Sequence, residues 1–255
     1  DGFAVLLPME GGTDQILRKI EEKYGADQVS ADLRASALRW RAMALKRKAG
    51  YESESGIKPD DVEAAYVEAQ AARPTGDTKR ALLLEWAEFR LERDDGKGAL
   101  ELIAQGDYTT SPIWALLAER FSSVAMAIDD PKAGAKRLEA ALVGVKRAMP
   151  MTIVVKSGGS EWSLTSALTN ATEKLDLLLE EIGEDARPAW RRLRPLIAKD
   201  QLSGLICADN LRRLGAMEDA RLAFRAAHML NPDQAKARIE ADYPDLQGLL
   251  DEMDD

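Results

Sequence analysis

One cysteine, Cys207, and one histidine, His228, bound the chemistry open to this 255-residue chain. A thiol nucleophile needs a base beside it, and a serine nucleophile needs an imidazole. Any Cys–His pair or Ser–His–Asp triad would therefore have to recruit these two positions. No disulfide can close within the chain, and a Cys/His zinc set cannot be assembled without carboxylates. The local settings point elsewhere. Cys207 sits beside Ala208 on an apolar helical face, as a small buried hydrophobe would, and His228 follows Ala227 as a surface or interhelix residue. The other stretch with chemical content is MTIVVKSGGSEW, residues 151–162. A phosphate-binding loop needs a strand, a glycine-rich turn and a helix N-terminus whose free N–H groups face the anion. The outline is present, but the GxxxxGK[ST] pattern is absent, Lys156 precedes the glycines, and no second strand–helix alternation supplies a sheet. Pairing of IVVK with SEWSL across Ser157-Gly-Gly159 as a β-hairpin fits better, because adjacent glycines supply positive φ; an irregular loop is the alternative. Trp162 would anchor such a hairpin. Acid pairs such as Asp60-Asp61 and Glu180-Glu181 are adjacent and so point to different helix faces. The expectation is a non-enzyme with no catalytic, metal-binding or cofactor-binding residues.

The elements that surround these positions read as helices. Apolar residues recur at helical spacing, broken by short Gly, Pro and Asp punctuation. Helices are expected over Thr13–Tyr24, Val29–Ala49, Pro59–Arg73, Thr78–Arg93 and Ala99–Ala104. Ser111-Pro112 and Asp130-Pro131 start two more. Further helices follow over Leu164–Ile182 and Ala186–Lys199, the latter kinked or broken at Pro195, and then on either side of Gly215. A short amphipathic piece, Ala235–Ala241, precedes an acidic tail expected to be solvated and mobile. This is an all-α pattern of antiparallel helix pairs with one short β-hairpin or loop insertion near 151–162. Lys and Arg number 35 against 44 Asp and Glu, a net charge of −9, which argues against a general nucleic-acid or anionic-membrane binder. No apolar run approaches the roughly 20 residues that cross a bilayer, so no membrane insertion is expected. The chain opens at Asp1 rather than Met, leaving room for a removed signal or anchor. A cytoplasmic location is the first expectation, and a periplasmic or organellar one the second.

The best-defined segment is QLSGLICADNLRRLGAMEDARLAFRAAHMLNPDQ, residues 201–234. Counted from Gln201, it places Ala208, Gly215, Ala220, Phe224, Ala227 and Pro232 at positions 8, 15, 20, 24, 27 and 32. In this it resembles the tetratricopeptide repeat, whose 34-residue helix–turn–helix unit carries a small residue, Gly, Ala, Phe, Ala and Pro there. Positions 4 and 11, usually Trp and Tyr in that family, are Gly204 and Leu211. A second, weaker match starts at Arg80, with Ala87 at position 8, Ala99 at position 20 and Ile103 in place of Phe. Residues 113–149 repeat the helix-turn-helix idea with drifting spacing. The resemblance implies a tetratricopeptide-like right-handed superhelix of stacked helix pairs; a non-repetitive helical bundle is the alternative. On this reading residues 1–255 form a single helical-repeat domain. It comprises N-terminal helices (1–74), degenerate hairpins (78–149), the insertion (150–163), a helical pair (164–200), the best repeat (201–234), and a capping helix with acidic tail (235–255). A subgroup of the family grips a C-terminal carboxylate with Lys and Asn at positions 5 and 9, where this chain has Leu205 and Asp209. Carboxylate clamping is not expected at this repeat.

The family binds peptides or partner helices in a concave groove, so the resemblance implies a protein-interaction scaffold or adaptor. Helix Val29–Ala49 carries Arg34, Arg39, Arg41, Lys46, Arg47 and Lys48 with no acid among them. Arg34, Arg41 and Lys48 recur every seven residues as one stripe, with Trp40 alongside. Such a face suits an acidic partner segment; otherwise it is a solvated face balanced by Glu21, Glu22, Glu52 and Glu54. A second basic-aromatic knot is Trp190, Arg191 and Arg194. Trp and Arg are enriched in binding hot spots, so Arg34, Trp40, Arg41, Lys48, Trp162, Trp190, Arg191 and Arg194 are the expected partner contacts. Exposure of Trp40, Trp86, Trp114 or Trp190 on one concave wall would support this. A helical accessory subunit of an enzyme complex is the second reading, and an RNA-binding helical repeat the third. Oligomeric state is left open.

Overall fold

A computed structural model of the chain describes residues 29–51, 56–145, 154–157 and 160–254, with scattered positions among 15–25. The expected helix Thr13–Tyr24 and the acids Glu21, Glu52 and Glu54 fall largely or wholly outside them. The described residues form twelve helices: α1 (Ala31–Tyr51), α2 (Pro59–Ala71), α3 (Gly76–Leu91), α4 (Gly96–Ile103), α5 (Pro112–Ala127), α6 (Pro131–Gly144), α7 (Leu164–Glu181), α8 (Arg187–Ile197), α9 (Gln201–Arg213), α10 (Met217–Leu230), α11 (Pro232–Asp242) and α12 (Gln247–Asp254). A two-stranded ribbon of β1 (Val154–Ser157) and β2 (Ser160–Ser163) lies between α6 and α7. The fold is all-α with one β-hairpin, as expected.

Helix starts follow local chemistry. Asp95, Asp130, Ser163, Asp200 and Asn231 each sit just before a helix. Each accepts a hydrogen bond from a backbone N–H three residues on, at 2.8 to 3.1 Å, satisfying a donor that has no intrahelical partner. Proline occupies the first turn of α2, α6, α8 and α11, where its missing N–H costs nothing. Three helices share one ending. Asp94 after α3, Gly183 after α7 and Gly215 after α9 take left-handed φ of 57°, 72° and 75°. The next residue's N–H then reaches back to the carbonyls of Arg90, Leu179 and Leu211 respectively. This reciprocal motif closes a helix and turns the chain for a tight hairpin. In the 34-residue frame, Asp94 and Gly215 occupy the same position 15.

The chain divides into two compact units, Asp1–Trp114 with Val155–Glu161, and Ala115–Val154 with Trp162–Asp255. In the first, α1 packs on α2 and on α3, and α3 packs on α4. Its core holds Tyr66, Leu82, Leu83, Ile113 and Trp114, all fully buried. In the second, α6, α7, α8, α9 and α10 pack in succession around Leu138, Leu164, Leu168, Leu175, Trp190 and Phe224. Helix pairs approach closely where a side chain is missing. A Cβ on Gly134 of α6 would lie 2.5 Å from the Ser123 carbonyl of α5, and one on Gly204 of α9 would lie 2.8 Å from the Ala227 Cβ of α10. Gly204, a departure from the family's Trp, is therefore a point of close approach in its hairpin.

Two expectations fail. Helix α8 runs without interruption through Pro195 to Ile197, so that proline does not break it. Only two helical residues follow it, so whatever it disturbs redirects little of the chain. The acidic C-terminus is not a loose tail. Residues 247–254 are helical, Leu249 and Leu250 are buried, and Glu252 pairs with Arg221 of α10 at 2.8 Å.

Candidate functional site

In the N-terminal unit basic residues of α1 meet acids from the neighbouring helices. Arg41 pairs with Glu68 of α2 at 3.0 Å, and Lys46 with Glu92 of α3 at 2.7 Å and Glu88 at 3.5 Å. Arg34 and Lys48 are half-buried, as is Trp40. The next residue along, Arg39, is fully buried, its guanidinium lying over the Trp40 ring at 5.8 Å and its Nε 3.3 Å from Glu85. Around that pair, Tyr66 of α2 stacks on Trp86 of α3, with ring centroids 5.9 Å apart and an interplanar angle of 8°. The Tyr66 hydroxyl, the Trp86 indole N–H and Glu85 Oε2 are all buried without a hydrogen-bond partner. Burial pushes the Glu85 carboxyl up to about 7, with Arg39 pulling the other way, and burial also raises the Tyr66 phenol. This buried polar knot was not foreseen. The sequence signal for it is an Arg in register with the apolar face of α1.

In the C-terminal unit Trp190 of α8 faces inward, while Arg191 and Arg194 keep part of their exposure. Trp190 is fully buried and donates its indole N–H to Asp176 of α7 at 2.8 Å. Asp176 is itself buried and also accepts from Arg213 of α9. Arg191 and Arg194 converge on Asp219 of α10, at 2.5 and 2.7 Å. Trp190 is thus a core anchor and not a partner contact, a correction to the expectation. Indole supplies a large apolar body whose one donor Asp176 satisfies, and that combination suits an interior as well as an interface. The same device recurs in the other unit, where Trp114 donates to Asp77 at 2.7 Å. Trp86, Trp114 and Trp190 are all buried, so the anticipated wall of exposed tryptophans is not formed by them. The repeat positions Ala208, Ala220, Phe224 and Ala227 are buried, Gly215 makes the turn, and Pro232 opens α11.

Cys207 is buried, its thiol pointing at the Trp190 carbonyl at 3.8 Å, and burial pushes it up to about 12. His228 stacks on Phe224 at 6.0 Å. Neither contact brings a base to the thiol. At the hairpin, β2 intervenes between the Gly-Gly pair and α7, whose N-cap is Ser163. The glycines therefore do not lead into a helix N-terminus as a phosphate loop requires. The Trp162 side chain lies outside the described residues. Among the described residues no group of three or more His, Cys, Asp or Glu could hold a metal ion, and no helix is long and apolar enough to cross a membrane.

No family model, no curated protein and no solved structure matches the chain.

Proposed function

We propose that the chain is a non-enzymatic scaffold or adaptor, built as a tetratricopeptide-like stack of helix pairs, that binds a helix or extended segment of another protein. The observation that carries this reading is the shared frame of two hairpins. In α3/α4 and α9/α10, Ala87 and Ala208, Ala99 and Ala220, and Ile103 and Phe224 fall at equal positions and are all buried. Asp94 and Gly215 turn both chains with the same left-handed residue and the same backbone hydrogen bond. Units of this kind cannot bury their faces alone; stacked, they leave an extended surface on which partners dock. Of the residues expected to contact a partner, Arg34, Trp40, Arg41 and Lys48 of α1 and Arg191 and Arg194 of α8 keep partial or full exposure and stay in the assignment; Trp190 does not.

The test is affinity capture from an extract of the source cells, comparing the intact chain with an Arg34→Glu/Lys48→Glu variant checked for retained helicity. One stoichiometric protein retained by the intact chain and lost by the variant is the expected result. Absence of any saturable protein partner would overturn the reading.

A further inference from the structure

Helices α6 and α8 of the C-terminal unit run against the sign of the chain. Together they carry seven lysines and arginines and a single acid, Glu139, in a protein whose net charge is −9. Part of that charge is matched by neighbours. Arg137 pairs with Glu119 of α5, Arg187 with Asp185, and Arg191 and Arg194 with Asp219 of α10. Lys132 and Lys136 of α6 are exposed. Arg192 of α8 reaches Glu139 at 3.7 Å, too far for a hydrogen bond, and both side chains keep close to half their exposure. Beside that contact lies an apolar recess. Leu142 of α6, Leu168 and Thr172 of α7 and Leu193 of α8 line it and are buried; Arg192 and Leu196 line it and are not. The Thr172 hydroxyl donates to the Leu168 carbonyl at 2.9 Å, so the one hydroxyl in the lining is already satisfied within α7. Val143, next to Leu142, is 56% exposed. Along α6, Lys136, Glu139 and Leu142 follow at intervals of one turn, which sets cation, acid and recess in line.

We propose that the α6–α8 seam binds an acidic amphipathic helix of a partner protein. An apolar side chain of that helix fills the recess over Leu168 and Thr172, and Asp or Glu side chains a turn away meet Lys136 and Arg192. An apolar recess with cations at its edge is complementary to this arrangement in shape and in charge. Nucleic acid would engage the cations and leave the recess unfilled. The seam rests on the scaffold reading and gives its partner a chemical class.

The probe is a fluorescent peptide of about 15 residues with Leu along one helical face and Glu elsewhere, titrated into the whole chain and read by anisotropy. Saturable binding is expected. It should weaken at least about tenfold in Lys136→Glu/Arg192→Glu, two exposed positions, with helicity checked by circular dichroism. It should weaken likewise when the peptide's leucines are replaced by glutamine, and stay unchanged in Arg34→Glu/Lys48→Glu. No saturable binding, or equal binding to the Lys136→Glu/Arg192→Glu variant, would overturn the seam. So would equal binding of the glutamine peptide, tighter binding of oligouridylate at the same residues, or a dimer in sedimentation that Lys136→Glu/Arg192→Glu dissolves, which would assign the surface to charge alone, to nucleic acid or to a second copy. A partner captured from extract through Arg34 and Lys48, with no peptide bound at the seam, would remove the seam and leave the scaffold reading standing.

Discussion

Two glycines on one helix should respond to the same substitution with opposite signs. Gly134 and Gly144 both lie in α6. Replacing a helical glycine by alanine stabilises by up to about 1 kcal/mol, because alanine loses less backbone entropy on folding. At Gly144 nothing lies within 4 Å of the new methyl, so only this gain operates. Its place at the helix end reduces it to about 0.5 kcal/mol. At Gly134 the new Cβ would lie 2.5 Å from the Ser123 carbonyl oxygen and 2.6 Å from the Ala127 Cβ. A carbon–oxygen contact settles at roughly 3.3 Å or more, so α6 must move away from α5 by nearly 1 Å. The obstacle is backbone, which no rotamer change relieves. Overpacking of this kind costs about 1–3 kcal/mol. Set against the propensity gain, Gly134→Ala should destabilise by about 1–2 kcal/mol. Urea unfolding followed by circular dichroism should show its midpoint falling by about 0.5–1 M, while that of Gly144→Ala rises slightly. Hydrogen exchange should place the loss in α5 and α6. A Gly134→Ala midpoint at or above wild type would refute the close crossing of these helices.

Three further outcomes follow from the other contacts. Gly215→Ala should cost about 1 kcal/mol because it puts a Cβ at φ 75°, whereas Asp94→Gly, at the same place in its own hairpin, should gain about 0.5 kcal/mol by relieving φ 57°; denaturation midpoints read both. Asp176→Ala leaves the Trp190 indole N–H buried without an acceptor and removes a partner of Arg213, so it should cost about 3 kcal/mol with a red shift in Trp190 emission. Cys207, its thiol pushed up to about 12, should label with a disulfide reagent at pH 8 at least about 100-fold more slowly in the native chain than in urea, because thiolate and access are both lacking; equal rates would contradict its burial.

Much of the fold was legible because its signals are local. Asp130-Pro131 and Ser111-Pro112 act on the first turn of their own helices, and Gly215 on the turn that contains it. The hairpin at 154–163 was readable for the same reason, from β-branched residues flanking a glycine pair. The C-terminal helix was missed because charge dominates its sequence. Its stability comes from Leu249 and Leu250 against the unit and from Arg221 at a distance of 31 residues, which no local pattern records. The Arg39–Glu85 contact is hidden in the same way, since α1 and α3 are separated by the whole of α2.

Trp190 departs from its expected role for a more instructive reason. Trp and Arg mark interfaces because they combine a large apolar surface with a few directed donors. Helices that pack in succession present such interfaces to one another within the same chain. Trp190 on Asp176, and Arg191 and Arg194 on Asp219, are hot spots by composition, but they join α8 to α7 and to α10. Composition cannot separate an internal seam from an external one; register can. Trp190, Leu193 and Ile197 share the buried face of α8, while Arg191 and Arg192 keep much of their exposure. A basic residue that falls on the apolar register, as Arg39 does beside Ala35, Leu38 and Ala42, is therefore a buried pair to be matched with an acid on another helix. One that falls off it, as Arg34 and Lys48 do, keeps partial exposure.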